Sequence, residues 1–180
     1  MIKFEYDLFE TQLGWVGGVS SPKGLKCLYM LPDPQEVMEL LDLTAPTALC
    51  EPNTFTNLKE NIQKYLLGDL TSLNTIKLDL SSVPPFFASA WQACRTIPVG
   101  ETRSYAWLAA AAGKPLAARA AGQAMAKNRF VLIVPCHRVI GSNGKLTGYG
   151  AGGIAVKARL LEMEYLSVSN ELTSFSDSIL

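Results

Sequence analysis

The chain has 180 residues, 48% of them apolar and 18% charged, and its sixteen Lys/Arg are balanced by sixteen Asp/Glu. That composition is globular and not disordered, with length for one large domain or two small ones. No apolar run reaches the length of a membrane span, and the opening MIKFEYDLFE lacks the basic and apolar regions of a signal peptide, so a cytoplasmic protein, nuclear in a eukaryote, is expected.

The first thirty residues read as strands. IKFEYDLFE alternates loosely, LGWVGGVSS carries glycines suited to a turn, and GLKCLYM is a short apolar strand. QEVMELLDL, residues 35–43, fits a short helix after a proline. NTFTNLKENIQKYLLG fits a longer one, with Phe55, Leu58, Ile62, Tyr65 and Leu66 on one stripe and Gly68 as its stop. TIKLDL alternates again and predicts a strand. Residues 1–83 thus form an α+β unit without a cluster of catalytic residue types, and their expected role is support. SSVPP, residues 81–85, is the natural joint.

Beyond the joint, strand patterns thin out. FFASAWQACRTI predicts a helix with Phe87, Trp91 and Cys94 at i, i+4 and i+7. SYAWLAAAAGK predicts a second, capped by Ser104 and ended near Gly113, and Pro115 is expected to start a third, PLAARAAGQAMAKN. Two short helices joined by a Gly-Lys-Pro turn resemble a helix-turn-helix. Positions 117–126 of the third helix are mostly Ala and Gly, with Arg119 and Gln123 as their long polar side chains. So thin a helix either approaches a DNA groove, binding phosphates with low sequence preference, or merely lets helices pack tightly.

Charge divides along the chain. Residues 84–167 carry ten Lys/Arg against three Glu, a net of +7, and the remainder six Lys against thirteen Asp/Glu, a net of −7. A half that meets phosphates has this asymmetry, and so does ordinary variation between domains. The last helix, IAVKARLLEMEYL, puts Glu164 on the face of Leu160 and Leu161. A carboxylate there needs a partner, either a structural arginine or the single histidine, His137. Residues 168–180 read as a polar, serine-rich tail, loosely held.

Four cysteines form no CxxC pair, and one histidine completes no usual zinc pattern. Cys27, Cys50 and Cys94 sit among apolar or small neighbours and are expected to be buried small side chains. Cys136 differs: it lies in VPCHRVIG beside His137 and Arg138. Only a thiolate is a good nucleophile, and a histidine can take the proton directly or through water, with a carboxylate behind it to hold the tautomer. Neighbours in a strand point to opposite faces, so cooperation between Cys136 and His137 requires the chain to leave strand geometry at the cysteine, and Pro135 favours such a turn.

The full arrangement, Asn128, six residues, then Pro135-Cys136-His137-Arg138-Val139, is more specific than the dipeptide. It resembles the active-site motif of the O6-alkylguanine-DNA alkyltransferase family. SYAWLAAAAGKPLAARAAGQAMAKN is similar to that family's helix-turn-helix and asparagine hinge, and GSNGKLTGYGAGGIAVKARLLEMEYL to its active-site loop and closing helix. The likeness covers roughly residues 84–166, with a weaker match over LGWVGGVSSPKGL. It implies an α+β fold: a small ribonuclease-H-like antiparallel sheet with helices (1–83), joined to a mostly helical, winged-helix-like DNA-binding and catalytic domain (84–167).

The resemblance also implies suicide repair of DNA, in which a damaged nucleotide is flipped out and its alkyl group passes irreversibly to Cys136. His137 would deprotonate the thiol through water, Glu164 would orient the imidazole and Asn128 would brace the turn. Tyr105 would donate to the leaving guanine, while Val139 (through its carbonyl), Ser142 and Tyr149 would line the guanine pocket. Arg119 would replace the extruded nucleotide, with Tyr105 and Gln123 also at the DNA. The implied partner is double-stranded DNA carrying O6-alkylguanine, held at the minor groove by a monomer with little sequence preference, without membrane, cofactor or metal. Some members bind zinc through N-terminal histidines that this chain lacks. Its loop GYGAGG is one residue longer than the commoner version, and Phe86 stands where a polar DNA contact is expected. Two other readings predict different behaviour: a lesion sensor binds without losing its thiol, and a cysteine hydrolase turns over activated esters.

Overall fold

The alternation in the first thirty residues becomes a meander. β1 (Glu5–Thr11), β2 (Gly14–Ser21) and β3 (Gly24–Leu31) pair antiparallel in the computed structural model of the chain, which describes the backbone of residues 3–177 and the side chains of 3–169. Gly14 and Gly24 open β2 and β3 at φ of 125° and 131°, a region where a side chain is strained. The sheet is not purely antiparallel as expected. A two-residue β4 (Leu49–Cys50) adds to β1 in parallel, giving the order β3-β2-β1-β4. So short a segment has no periodicity to read, and it leaves Cys50 exposed where burial is expected.

The sheet has two covered faces. On one, α1 (Pro34–Thr44), capped by Asp33, packs Val37 and Leu41 against Val19 and Cys27. The approach is close: a Cβ on Gly17 would lie 2.5 Å from Val37 Cγ1. On the other face lie a 3-10 turn (Pro52–Phe55) and α2 (Thr56–Leu66). The apolar stripe Phe55, Leu58, Ile62, Tyr65 and Leu66 is buried there as its spacing predicts. TIKLDL does not form a strand; only Leu78 bridges, to Leu25. β3 is an edge strand, and this single bridge and another from Phe130 to Leu28 cover its free side.

α3 (Pro85–Arg95), α4 (Tyr105–Ala111) and α5 (Ala118–Ala126) follow the joint. Ser104 accepts the Trp107 N–H at the start of α4, the cap its position predicts. Pro115 does not begin α5. It stays in the connecting turn, and the helix starts at Ala118, three residues later. The Trp91 indole donates to Ala124 O (2.8 Å), tying α3 to the end of α5. β5 (Arg103–Ser104) and β6 (Val139–Ile140) form a two-residue parallel pair.

α6 (Gly153–Asp177) runs well past residue 167, so the expected loose tail is helical as far as it is described; residues 178–180 lie outside the described residues. One apolar core joins both halves, from Val16, Leu28 and Ile62 to Trp91, Leu108, Phe130 and Leu160. Among the described residues no helix is long and apolar enough to cross a membrane.

Candidate active site

The apolar run before the cysteine is not a strand. After its bridge at Phe130 the chain closes a three-residue turn about Leu132 (φ 67°), with Ile133 N–H donating to Val131 O (2.8 Å). Leu132 is the non-glycine residue at positive φ among those described, a conformation that costs about 1 kcal/mol or more and that surrounding structure must hold. A second such turn follows at Pro135 (φ −77°, ψ 63°), with Cys136 N–H donating to Val134 O at 2.7 Å, the geometry of an inverse γ-turn. Cys136–Arg138 then form one turn of 3-10 helix. The chain thus leaves extended geometry at the cysteine, as cooperation between neighbours requires.

Asn128 locks this turn. Its Oδ1 accepts the Phe130 N–H (2.9 Å), and its Nδ2 donates to Val134 O (2.9 Å) and Cys136 Sγ (3.1 Å). Burial pushes the Cys136 thiol up from its ordinary value, while the Asn128 hydrogen bond and the positive charge of Lys157 pull against it.

His137 and Glu164 are fully buried. His137 Nε2 lies 2.8 Å from Glu164 Oε1. Burial alone would raise the carboxyl, but the His137 and Arg138 hydrogen bonds and charges outweigh it and bring Glu164 down to about 2. An ionised carboxylate only accepts, so Nε2 carries the hydrogen and a neutral His137 has its lone pair on Nδ1. Nδ1 itself pairs with no protein atom among the described residues. Burial lowers the histidine, with Arg138 and Lys157 adding to that and Glu164 opposing it, and the net direction is below 6.5.

Both partners weighed for Glu164 are present. Arg138 Nε reaches its two oxygens (3.2 and 3.0 Å) and Nη2 reaches Oε1 (2.8 Å), while Nη1 donates to Ile97 O (2.8 Å). A third partner comes from the N-terminal unit: the Tyr65 hydroxyl of α2 donates to Glu164 Oε1. Lys157, also fully buried, donates from Nζ to Val139 O at 2.7 Å. Sequence reasoning missed both. Lys157, Leu160 and Glu164 share one face at i, i+3 and i+7, the spacing that singled out Glu164. Tyr65 passed as core, although a buried tyrosine needs a partner for its hydroxyl.

Cys136 opens onto two cavities. One, about 440 Å³, lies toward the helical pair and is lined by Tyr105, Gly122, Met125, Thr147, Tyr149 and Gly150 among others. The other, about 180 Å³, runs toward β3 and α1 past Tyr29, Met30, Leu31 and Leu40. The Tyr105 hydroxyl shares a 2.7 Å hydrogen bond with Thr147 Oγ1. Tyr149 is buried edge-on to the His137 ring, with centroids 6.4 Å apart.

Cys136, His137, Glu164, Asn128, Tyr105 and Tyr149 therefore converge, while Val139 lines neither cavity and its carbonyl accepts from Lys157. Ser142 does not converge either: it is exposed in the loop and lines neither cavity. Arg119 and Gln123 stand exposed one turn apart on α5 and line neither cavity. Lys114, at the start of the connecting turn, lies over the Phe86 ring (5.3 Å).

The family described as 6-O-methylguanine DNA methyltransferase, DNA binding domain, matches residues 85–166. The chain is 46% identical over 125 residues to the methylated-DNA–protein-cysteine methyltransferase of Mycobacterium tuberculosis, covering 69% of this chain and 74% of that protein. It is 38% identical over 162 residues to the protein of the same name from Methanosarcina barkeri, covering 88% and 96%. In three dimensions it is similar to Mycobacterium tuberculosis OGT in complex with DNA, with a TM-score of 0.77 and 36% identity, over 91% of this chain and 94% of that one.

Proposed function

Since the chain belongs to the O6-methylguanine DNA methyltransferase family, we infer that it repairs alkylated DNA by direct reversal, transferring the alkyl group of O6-alkylguanine to a cysteine of its own. Cys136 is that acceptor. The observation that carries the assignment is the paired geometry at one turn: a thiol held by Asn128 beside a histidine whose proton is fixed on Nε2 by Glu164.

The step balances without a cofactor. His137 Nδ1 draws the thiol proton through a water, the thiolate attacks the alkyl carbon, and the C–O6 bond breaks. The proton ends on the leaving guanine, with Tyr105 donating a hydrogen bond as charge develops there. The product is a thioether, so each molecule acts once. The lesion reaches the thiol only if its nucleotide leaves the stack. The exposed, small-residue face of α5 suits the minor groove, where Arg119 takes the nucleotide's place and Gln123 contacts the strand with little base reading.

On this reading residues 1–83 are a ribonuclease-H-like unit that supports the site. Residues 84–167 are a winged-helix-like unit that binds DNA and reacts. The protein works as a cytoplasmic monomer.

The test is intact-protein and peptide mass after mixing with duplex DNA carrying O6-methylguanine. The Cys136 peptide gains one methyl group stoichiometrically, and Cys136→Ser gains none. Tight binding with no gain in mass would overturn the assignment and leave a lesion sensor.

A further inference from the structure

Glu164 has three partners, and the third is the unusual one. His137 and Arg138 come from the reactive turn itself. Tyr65 comes from α2, across the joint, and is 1% exposed. Its hydroxyl donates to Oε1, the same oxygen that receives His137 Nε2, and lies 3.4 Å from that nitrogen. A purely apolar contact would have been served by phenylalanine. The hydroxyl instead occupies a lone pair of the one oxygen that decides how tightly the imidazole is held.

We propose that Tyr65 is a positioning residue of alkyl transfer, through which the N-terminal unit sets the orientation and basicity of His137. This rests on the reading of Cys136 and His137 given above. A hydrogen bond donated to a carboxylate withdraws charge from it and weakens its pull on a neighbouring proton. With the hydroxyl present, Glu164 fixes the tautomer of His137 while favouring the imidazolium less, which leaves Nδ1 free as a base. The other titratable or charged groups facing this pair are Arg138 in the turn, Lys157 on α6, Tyr149 in the loop and Cys136. Of these, Arg138 also faces the Tyr65 hydroxyl.

His137 is the only histidine in the sequence, so its imidazole nitrogens are unambiguous in a full-length chain labelled with 15N-histidine. Their shifts are followed against pH in the unsubstituted protein and in Tyr65→Phe, alongside single-turnover methylation by an O6-methylguanine duplex. Tyr65→Phe is expected to raise the His137 midpoint by about half a pH unit or more. It is also expected to slow methylation about threefold or more at neutral pH, as its acid limb moves the same way, with DNA affinity unchanged. Incorporating 3-fluorotyrosine at position 65 keeps the shape and strengthens the donor, so the midpoint moves down; this second substitution decides the matter if Tyr65→Phe does not fold. A structural role gives no opposed pair of shifts. Unmoved nitrogen shifts and an unmoved pH profile overturn the proposal. Failure of the unsubstituted protein to gain a methyl group overturns the site reading instead, whatever the nitrogens report.

Discussion

Two buried carboxylates, one in each half, make an instructive pair. Asp79 and Glu164 are each held at about 2 against the pull of burial, the first by hydrogen bonds from Ser81 and Ser21, the second by His137 and Arg138. Asp79 Oδ1 accepts from Ser81 N–H and Oγ (3.0 and 2.6 Å), and Oδ2 from Ser21 Oγ (2.7 Å). Those donors are neutral, and they pin the connecting segment to the β2–β3 turn. Glu164 is met by a cation and an imidazole from the reactive turn and by a phenol from α2. A depressed carboxyl therefore marks no active site by itself. What distinguishes Glu164 is that one of its donors, His137, follows Cys136 in the same turn and has a second nitrogen without a partner among the described residues.

Glu164→Gln breaks the second cluster and should have the largest effect. It leaves Arg138 buried without its counter-charge, at a cost of about 3–5 kcal/mol, read as a drop in the denaturation midpoint. Methyl transfer falls by about a hundredfold or more, because the amide no longer fixes the His137 tautomer. Asn128→Ala comes next. It removes the donor to Sγ, leaves the Phe130 N–H unpaired and takes from Val134 O one of its two donors, the Cys136 N–H remaining, for about 1–3 kcal/mol and a rate loss of about tenfold or more.

Acid separates the groups by pH window. The folded His137 lies below 6.5, so the unfolded chain binds the extra proton, and stability begins to fall as pH drops through 6.5. Glu164 lies below its ordinary 4.5 in the fold, so its contribution is whole above 4.5 and is lost as pH falls toward about 2. Urea denaturation at stepped pH should show two successive losses. His137→Gln removes the upper one, because no other histidine exists, and shrinks the lower one, because His137 also holds Glu164 down.

The regular elements were legible because periodicity and punctuation agree: the β1–β3 meander, the apolar stripe of α2 and the Ser104 cap all follow from local chemistry. Local chemistry also explains the misses. TIKLDL alternates well, but beside β3 it finds partners for a single bridge only. Pro115 suits a first helical turn, yet the Gly113–Pro115 connection holds it outside α5. At the site, Cys136, His137 and Glu164 stood out from the residues themselves, which left the partner of Glu164 open, and the roles of these three and of Asn128 came through a resemblance. Tyr65 and Lys157 were missed because a stripe of periodic residues reads as core whether or not it ends in a hydroxyl or an ammonium.

Arg119→Ala tests the face away from the thiol. With the fold and the Cys136 cluster untouched, methylation of a duplex lesion should slow about tenfold, near 1.4 kcal/mol, while methylation by free O6-methylguanine base stays the same. Loss on both substrates would place Arg119 in the fold and not at the DNA.

Asp79→Asn should move the chemistry least. The amide keeps the shape and one acceptor but loses the charge that Ser81 and Ser21 both serve, so about 1–2 kcal/mol of stability goes. The β2–β3 turn then loosens from the connecting segment. Nothing in that change reaches the thiol directly, because β3 is also bound to the reactive turn through Leu28, whose N–H donates to Arg129 O (2.6 Å) and whose carbonyl accepts from Val131 N–H (3.0 Å). Single-turnover methylation should therefore stay within about twofold below the new melting transition. A tenfold slowing in a folded Asp79→Asn protein would mean that the edge of β3 transmits strain into the Leu132–Pro135 turns, and the two carboxylates would then belong to one mechanical unit.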